Sequence, residues 1–242
     1  MNCYDFDKTI YKKDSTKQLL LFAIKQKPIL IFYAIKICFF ALLYFFKIID
    51  LKKFKQVYFG FLKKSENKQD LIAKFWAKNK GLINNWYLQQ MRADDVICSA
   101  SPRFLVEPIM KEINPDCTVV CTEMNLTDFA IAGNNLKGEH KREKLNELGY
   151  NNFEAAYSDS LTDLPLLDMA NNKYLVCGEK CYLFGKQKLN FFQKLKWFFK
   201  ELRVKHYVKN GLIFLPLVFS GLLFSNHLKY LVSCIWGFVA FC

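Results

Sequence analysis

Asp5 and Asp7 stand two residues apart in DFDKT (5–9), at the end of the short apolar run that opens the chain. In an extended strand, residues two apart point to the same side, so both carboxylates face one spot. Adjacent carboxylates repel unless a cation or a shared proton compensates. Such a pair is unfavourable as structure and useful as chemistry: one carboxylate can attack phosphorus or ligate Mg2+, and the other can carry a proton. The plain alternative is a solvated strand-end pair with no chemical role, and three later stretches bear on the choice. ICSAS (97–101) puts Ser99 at another strand end, where its hydroxyl and the following amides can hold phosphate oxygens. GEHKREK (138–144) offers Lys141 as a point charge for a transferring phosphoryl group. YSDSLTD (157–163) carries Asp159 at a strand end and Asp163 one turn later, both hard oxygen donors suited to Mg2+.

These residues need elements that bring them to one place. Met1–Phe6 reads as a buried strand, and DVICSA (95–100), TVVCTEM (118–124), FEAAYS (153–158) and KYLVC (173–177) read as further strands. Residues 139–148 and 163–170 read as helices, and Ser101-Pro102 reads as an N-cap and N1 pair opening a helix to about Ile113. This alternation is the signature of a parallel sheet with crossover helices, an α/β fold of Rossmann type. Ligand sites of such sheets lie at the carboxyl ends of the strands, where the candidate residues fall.

The stretch between the first two motifs has a different character. A helix is expected from about Ser15 to Lys25, then an apolar run over 28–49, then Lys-laced aromatic helices to residue 91. From Ile10 to Met91 there are sixteen lysines, no arginine and four acids, a local excess of +12 in a chain whose net charge is +13. With 52% hydrophobic and 17% aromatic residues overall, apolar and cationic character together point to an anionic membrane surface. Nucleic acid is the rival partner for a basic patch, but arginine, zinc-ligand spacing and RNA-binding signatures are missing, and it is set aside. Two membrane crossings need about 20 apolar residues each. Residues 16–49 supply 34 in all, interrupted by KQK at 25–27, so two full spans do not fit. If Asp5 is to meet Ser99, Lys141 and Asp159, the insertion must leave and return on one side. A shallow re-entrant or in-plane helical segment is expected, with a soluble insertion packed on itself as the alternative.

Nine cysteines without a CxxC pair, and without a histidine near Cys117/Cys121 or Cys177/Cys181, read as reduced thiols in the cytosol rather than metal ligands. No signal peptide is expected. Residues 186–210 are basic and aromatic, a linker to two apolar runs at 211–224 and 231–242 that read as C-terminal transmembrane helices. The second reaches Cys242 without polar anchors, as expected of a chain cut inside an element.

Taken together, DFDKT, ICSAS, GEHK and SDSLTD resemble the four motifs of haloacid dehalogenase (HAD) superfamily phosphatases of the phosphoserine-phosphatase-like branch, across roughly residues 1–185. The resemblance implies Asp5 as the nucleophile of an aspartyl-phosphate, and Asp7 as the acid for the leaving oxygen and then the base for water. It implies that Ser99 and Lys141 bind the phosphoryl group. Asp5, the backbone carbonyl of Asp7 and Asp159 would hold Mg2+, with Asp163 supporting, and Asp14 would face the substrate. It implies a core of residues 1–10 and 92–185, with 11–91 as an inserted all-α, membrane-associating cap. Lys8 replaces the Gly frequent in that first motif.

Phosphoserine recognition calls for a cap arginine to fork the carboxylate, and this cap has none. A lipid-linked phosphomonoester suits a greasy, cationic cap better. The layout is similar to the HAD-type bacterial phosphatidylglycerophosphate phosphatases in TIYKKDS, SASPRFLVE, GEHK and YSDSLTDLPLL. The tail LRVKHYVKNGLIFLPLVFSG resembles the opening of UbiA-type prenyltransferases, which makes such an enzyme the expected partner. The expectation is a Mg2+-dependent phosphomonoesterase at the cell membrane, its catalytic domain cytoplasmic. A small-molecule phosphatase of the phosphoserine type and a non-catalytic scaffold, or phosphatase half of a fusion, are the alternatives.

Overall fold

The computed structural model describes residues 1–65 and 67–184; the expected linker and C-terminal membrane helices lie outside the described residues. Strand β1 (Asn2–Tyr4) is buried throughout. It lies inside a six-stranded sheet of order β3-β2-β1-β4-β5-β6, with β2 Val96–Pro102, β3 Thr118–Thr122, β4 Phe153–Ser158, β5 Ala170–Cys177 and β6 Lys180–Leu183. The pairs from β3 through to β5 are parallel, and β5–β6 is antiparallel. From β1 the chain builds outward to one side through β2 and β3, and to the other through β4 and β5. The carboxyl end of β1 is therefore a topological switch point, where crossovers diverge and leave a crevice. Tyr4, Tyr157 and Tyr174 are in register on adjacent strands, and their rings stack at 4.7 and 4.6 Å.

Three local expectations are corrected. The helix expected over 163–170 is a short turn at Leu161–Asp163 followed by α8 (Leu164–Leu167); numbered in chain order, it is the last helix described. Phe153 N–H donates to the Met169 carbonyl at 2.8 Å, which draws the chain into strand from Ala170. Strand β6 was not anticipated: Gly178, at φ +65°, opens a two-residue hairpin loop between Cys177 and Lys180. Helix α6 is Arg103–Ile113 with Pro102 at its N-cap and no side-chain cap, so Ser101 is not the capping residue.

The insertion is helical as expected: α1 Ser15–Gln26, α2 Ile31–Phe45, α3 Leu51–Phe59, α4 Lys68–Asn79 and α5 Asn85–Gln90. Core and insertion share one apolar cluster in a single compact unit. Phe59, Phe75 and Trp76 are buried with Leu105, Val106 and Ile109 of α6, and Trp76 Nε1–H donates to the Leu105 carbonyl at 2.7 Å. The apolar run does not continue as helix to Ile49. Lys47 adopts φ +59°, and Ile48 N–H and Lys47 N–H bond back to the Leu43 and Tyr44 carbonyls, a Schellman turn that stops α2. Helices α2 and α3 then form an antiparallel hairpin, locked by Tyr33 Oη–H to the Val57 carbonyl (2.8 Å) and by Tyr44 stacked on Phe54.

One face of α2 stays open to solvent. Ile31, Phe32, Ile35, Phe39 and Leu42 are each 54–67% exposed, and Ile37 is the one buried residue of the helix. Pro28–Phe45 is 18 residues with mean hydropathy 2.1, enough by length and composition to cross a membrane. Helix α2 itself has 15 residues, about 22 Å at 1.5 Å per residue, short of a hydrocarbon core of about 30 Å.

Candidate active site

Asp5 follows β1, tied by its N–H to the Tyr157 carbonyl at 2.8 Å, which places its side chain at the switch point. Its Oδ1 accepts from Lys141 Nζ at 2.7 Å, and the same ammonium donates to Asp163 Oδ2 at 2.8 Å. Lys141 is 1% exposed, an unusual place for a lysine unless it is paired. Helix α7 (Glu139–Glu147) brings it there through Gly138, whose φ is +60°. A Cβ at Gly138 would lie 3.1 Å from the Thr162 carbonyl, and its N–H donates to Asp163 Oδ1 at 3.2 Å. Glycine is thus required both by the backbone turn and by the close approach to the strand-end loop.

Asp163 is buried with both oxygens engaged: Lys141 and Ser158 Oγ–H on one, Gly138 N–H on the other. It orients Lys141, with Ser158 and Gly138 holding it in place. Asp159, the residue after β4, is half-buried and close enough to Asp5 to disfavour its ionisation. Burial raises the Asp5 carboxyl above the ordinary range; Lys141 opposes the shift and Asp163 and Asp159 reinforce it. Burial alone would lower Lys141, but Asp5 and Asp163 outweigh it and hold the ammonium above its usual value. Burial is the main reason that Asp5 holds its proton, with the neighbouring Asp163 and Asp159 carboxyls adding to it beside one firmly charged lysine.

Asp7 is treated differently, although it is only two residues away. Its Oδ1 accepts from Ser15 N–H at 2.6 Å, at the first turn of α1, and its Oδ2 accepts from Ser101 Oγ–H. Ser15 Oγ–H also reaches Ser101 Oγ at 3.5 Å. Burial raises the Asp7 carboxyl, and the Ser101 and Ser15 bonds pull it part of the way back. A carboxyl that holds its proton more firmly than in water is suited to act as an acid near neutral pH. The sequence reading missed Ser101 and Ser15. The alternation of Ser99 and Ser101 along β2 was the available signal.

Ser99 is buried at the irregular end of β2, and its Oγ accepts from Ser101 N–H at 3.1 Å. Asp14, expected to face the substrate, is the N-cap of α1: its Oδ1 accepts from Lys17 N–H at 3.0 Å and Thr16 Oγ1–H at 2.7 Å. It stays near enough to Asp7 to push that carboxyl upward. Lys8, in place of a frequent glycine, adopts φ +59°, which explains why glycine suits the position.

Among the described residues, no three His, Cys, Asp or Glu side chains form a ready metal cluster. Lys141 lies between Asp5 and Asp163, and the Asp7 carboxylate turns to the serines, leaving its backbone carbonyl as the Asp7 atom open to a metal. What remains fits Mg2+, which binds through one or two carboxylates and keeps its other positions for water and phosphate. Asp5, Asp159 and the Asp7 carbonyl are hard oxygen donors suited to such an ion.

A family model described as haloacid dehalogenase-like hydrolase matches residues 3–168. No curated protein matches the sequence. Among solved structures, a protein of unknown function from Bordetella pertussis Tohama I superposes with a TM-score of 0.59 at 16% identity, covering 72% of this chain and 87% of that one. A HAD family hydrolase from Salmonella enterica subsp. enterica serovar Typhi gives 0.51 at 12% identity, covering 70% and 59%. These likenesses speak to the fold. The segment resembling prenyltransferases lies outside both the matched and the described residues.

Proposed function

The chain belongs to the haloacid dehalogenase-like hydrolase family, and on that premise we propose that it is a Mg2+-dependent phosphomonoesterase working through an aspartyl-phosphate. The observation that carries the reading is the divergent treatment of two neighbouring carboxylates. Asp5 faces a buried ammonium, and Asp7 faces a hydroxyl and an amide. Burial raises both carboxyls, and it is the difference in partners, a cation for one and neutral donors for the other, that supports separate roles.

Asp5 attacks phosphorus, and the bond to the ester oxygen breaks. The departing oxygen takes the proton of Asp7, leaving an alcohol. Asp7, now a carboxylate, removes a proton from water, whose oxygen attacks the phosphoryl group and releases Asp5 and inorganic phosphate. Lys141 offsets charge on the nucleophile and the transferring group throughout, held in place by Asp163. Ser99 supplies a hydroxyl at the phosphoryl-binding strand end. Mg2+, held by Asp5, Asp159 and the Asp7 carbonyl, would supply further charge neutralisation.

For the substrate we propose a lipid-linked phosphate reached from the cytoplasmic face of the membrane. The open apolar face of α2, beside the lysines of α3, supports it. The α2–α3 hairpin returns the chain to the side it left, which supports in-plane contact rather than a span. The tail's resemblance supports a UbiA-type prenyltransferase as partner. A soluble phosphoserine-type substrate is the second reading, disfavoured by the arginine-free cap. The test is hydrolysis of 4-nitrophenyl phosphate with Mg2+. Asp5→Asn is expected to abolish it, and a variant as active as the wild type would leave the scaffold reading in its place.

A further inference from the structure

Lys55 is left unexplained by this mechanism. It lies on α3 and reaches from the cap into the core, where its Nζ donates to the Ala100 carbonyl at 2.7 Å and to Asn135 Oδ1. Ala100 separates Ser99 from Ser101, so this ammonium stands at the strand end that carries the phosphate-binding hydroxyl and the partner of Asp7. Both acceptors are neutral, and among the described residues Lys55 makes no salt bridge. Asn135 is itself buried and braced: Thr122 Oγ1 lies 3.5 Å from its Oδ1, donates to the Ala100 carbonyl at 2.9 Å and accepts from Leu136 N–H at 3.1 Å.

Burial lowers Lys55 to about 8; Asp7 pulls the value up, exposed Lys137 pushes it down, and Asp14 pulls it up. A desolvated ammonium with neutral partners is expensive to keep unless an anion arrives to complete it. One turn along α3, the Tyr58 hydroxyl is a second polar group turned to the same region, near Thr16, Asp7 and Asp14. The most direct account of a buried ammonium with two neutral acceptors is an anionic group that the bare chain does not supply.

We propose that Lys55, braced by Asn135 and assisted by Lys137, forms a second anion subsite, so that the substrate carries another anionic group beside its phosphomonoester. A phosphodiester is the matching chemistry, whether it links the headgroup to a lipid or belongs to a soluble molecule. The inference rests on the phosphatase reading for its first anion.

Calorimetric titration of the full chain with Mg2+ tests it, comparing propyl phosphate with propane-1,3-diyl bisphosphate. A charge-assisted contact predicts a preference of roughly tenfold or more for the bisphosphate in the wild type. That preference is expected to fall to near one in Lys55→Gln and to return in Lys55→Arg. A wild type without preference, or a Lys55→Gln variant that loses affinity for both ligands by one factor, would overturn the subsite and make Lys55 a latch between cap and core. A parallel arm compares phosphatidic acid with phosphatidylglycerol phosphate in neutral micelles. A Lys55-dependent preference for the latter assigns the second anion to a lipid phosphodiester, and a preference confined to the soluble pair assigns it to a soluble bis-anion. Failure of the wild type to hydrolyse 4-nitrophenyl phosphate would remove the phosphatase reading, separately from the binding result.

Discussion

At the carboxyl ends of β1 and β4, a lysine with 1% exposure is clamped between two aspartates, whereas on α2, Phe32 leaves 67% of its surface in water. Each region reverses the ordinary partition of residues between inside and outside. Withdrawing an ion from water costs several kcal/mol even after relaxation. Leaving a large apolar side chain exposed forgoes about 1.5–3 kcal/mol. The reversals differ in how they are contained. Around Lys141 the chain answers with designed contacts, from Asp5 and Asp163, with Ser158 and Gly138 securing Asp163. Around α2, the described residues leave the outer face uncovered and fasten the helix through Tyr33, Ile37 and Tyr44. A charge can be satisfied by the chain's own groups, while a wide apolar face requires a surface of comparable extent.

The sharpest way to break this contrast is to remove the buried cation. Lys141→Met leaves Asp5 and Asp163 facing each other without compensation, and is expected to lose about 3–5 kcal/mol in urea unfolding. Aryl phosphate turnover should fall at least ~100-fold. If stability is unchanged, the carboxylates do not need the ammonium and the comparison fails on its charged side. The apolar side is tested by Phe32→Ser, Ile35→Ser and Phe39→Ser combined. Partition onto phosphatidylglycerol vesicles should drop at least ~tenfold. Hydrolysis of soluble 4-nitrophenyl phosphate should stay within about twofold, as surface changes away from the site leave the fold near its original stability. Undiminished vesicle binding would leave that face without the role proposed for it. The smallest effect concerns the boundary between cap and core. Ser101→Ala removes a bond that lowers the Asp7 carboxyl, so the folded pKa rises further. Because the protonated form serves the departing oxygen, the basic limb of the kcat–pH profile should move to higher pH, while loss of the orienting bond lowers the plateau kcat roughly 2–10-fold. An unmoved limb would disconnect Ser101 from proton transfer.

Much of the core could be read from the chain. The strand at 153–158 and the helix beginning at Glu139 lie where alternation put them, and strand-end logic was enough to bring Asp5, Lys141 and Asp163 together. What escaped depends on more than local pattern. Ser101 followed by Pro102 has the look of a helix start, but β3 pairs with the strand as far as Pro102 and frees the serine for Asp7. The capping of α1 by Asp14 is a local feature that its place before Ser15 could have suggested. Lys55 is one of sixteen lysines in a uniformly basic insertion, and its partner Asn135 lies eighty residues away. Only the packing of α3 against the core distinguishes it. The hairpin of β5 and β6 did carry a signal, Gly178 between two alternating runs, that was passed over.

The antiparallel hairpin of α2 and α3 carries the exposed apolar face on one arm and Lys55 on the other, with Tyr33 and Tyr44 fastening the two. Were both proposed contacts made, a shift of one arm that alters the other would couple them by an equal and reciprocal factor, and the lipid surface would then be an effector of the enzyme as well as its address.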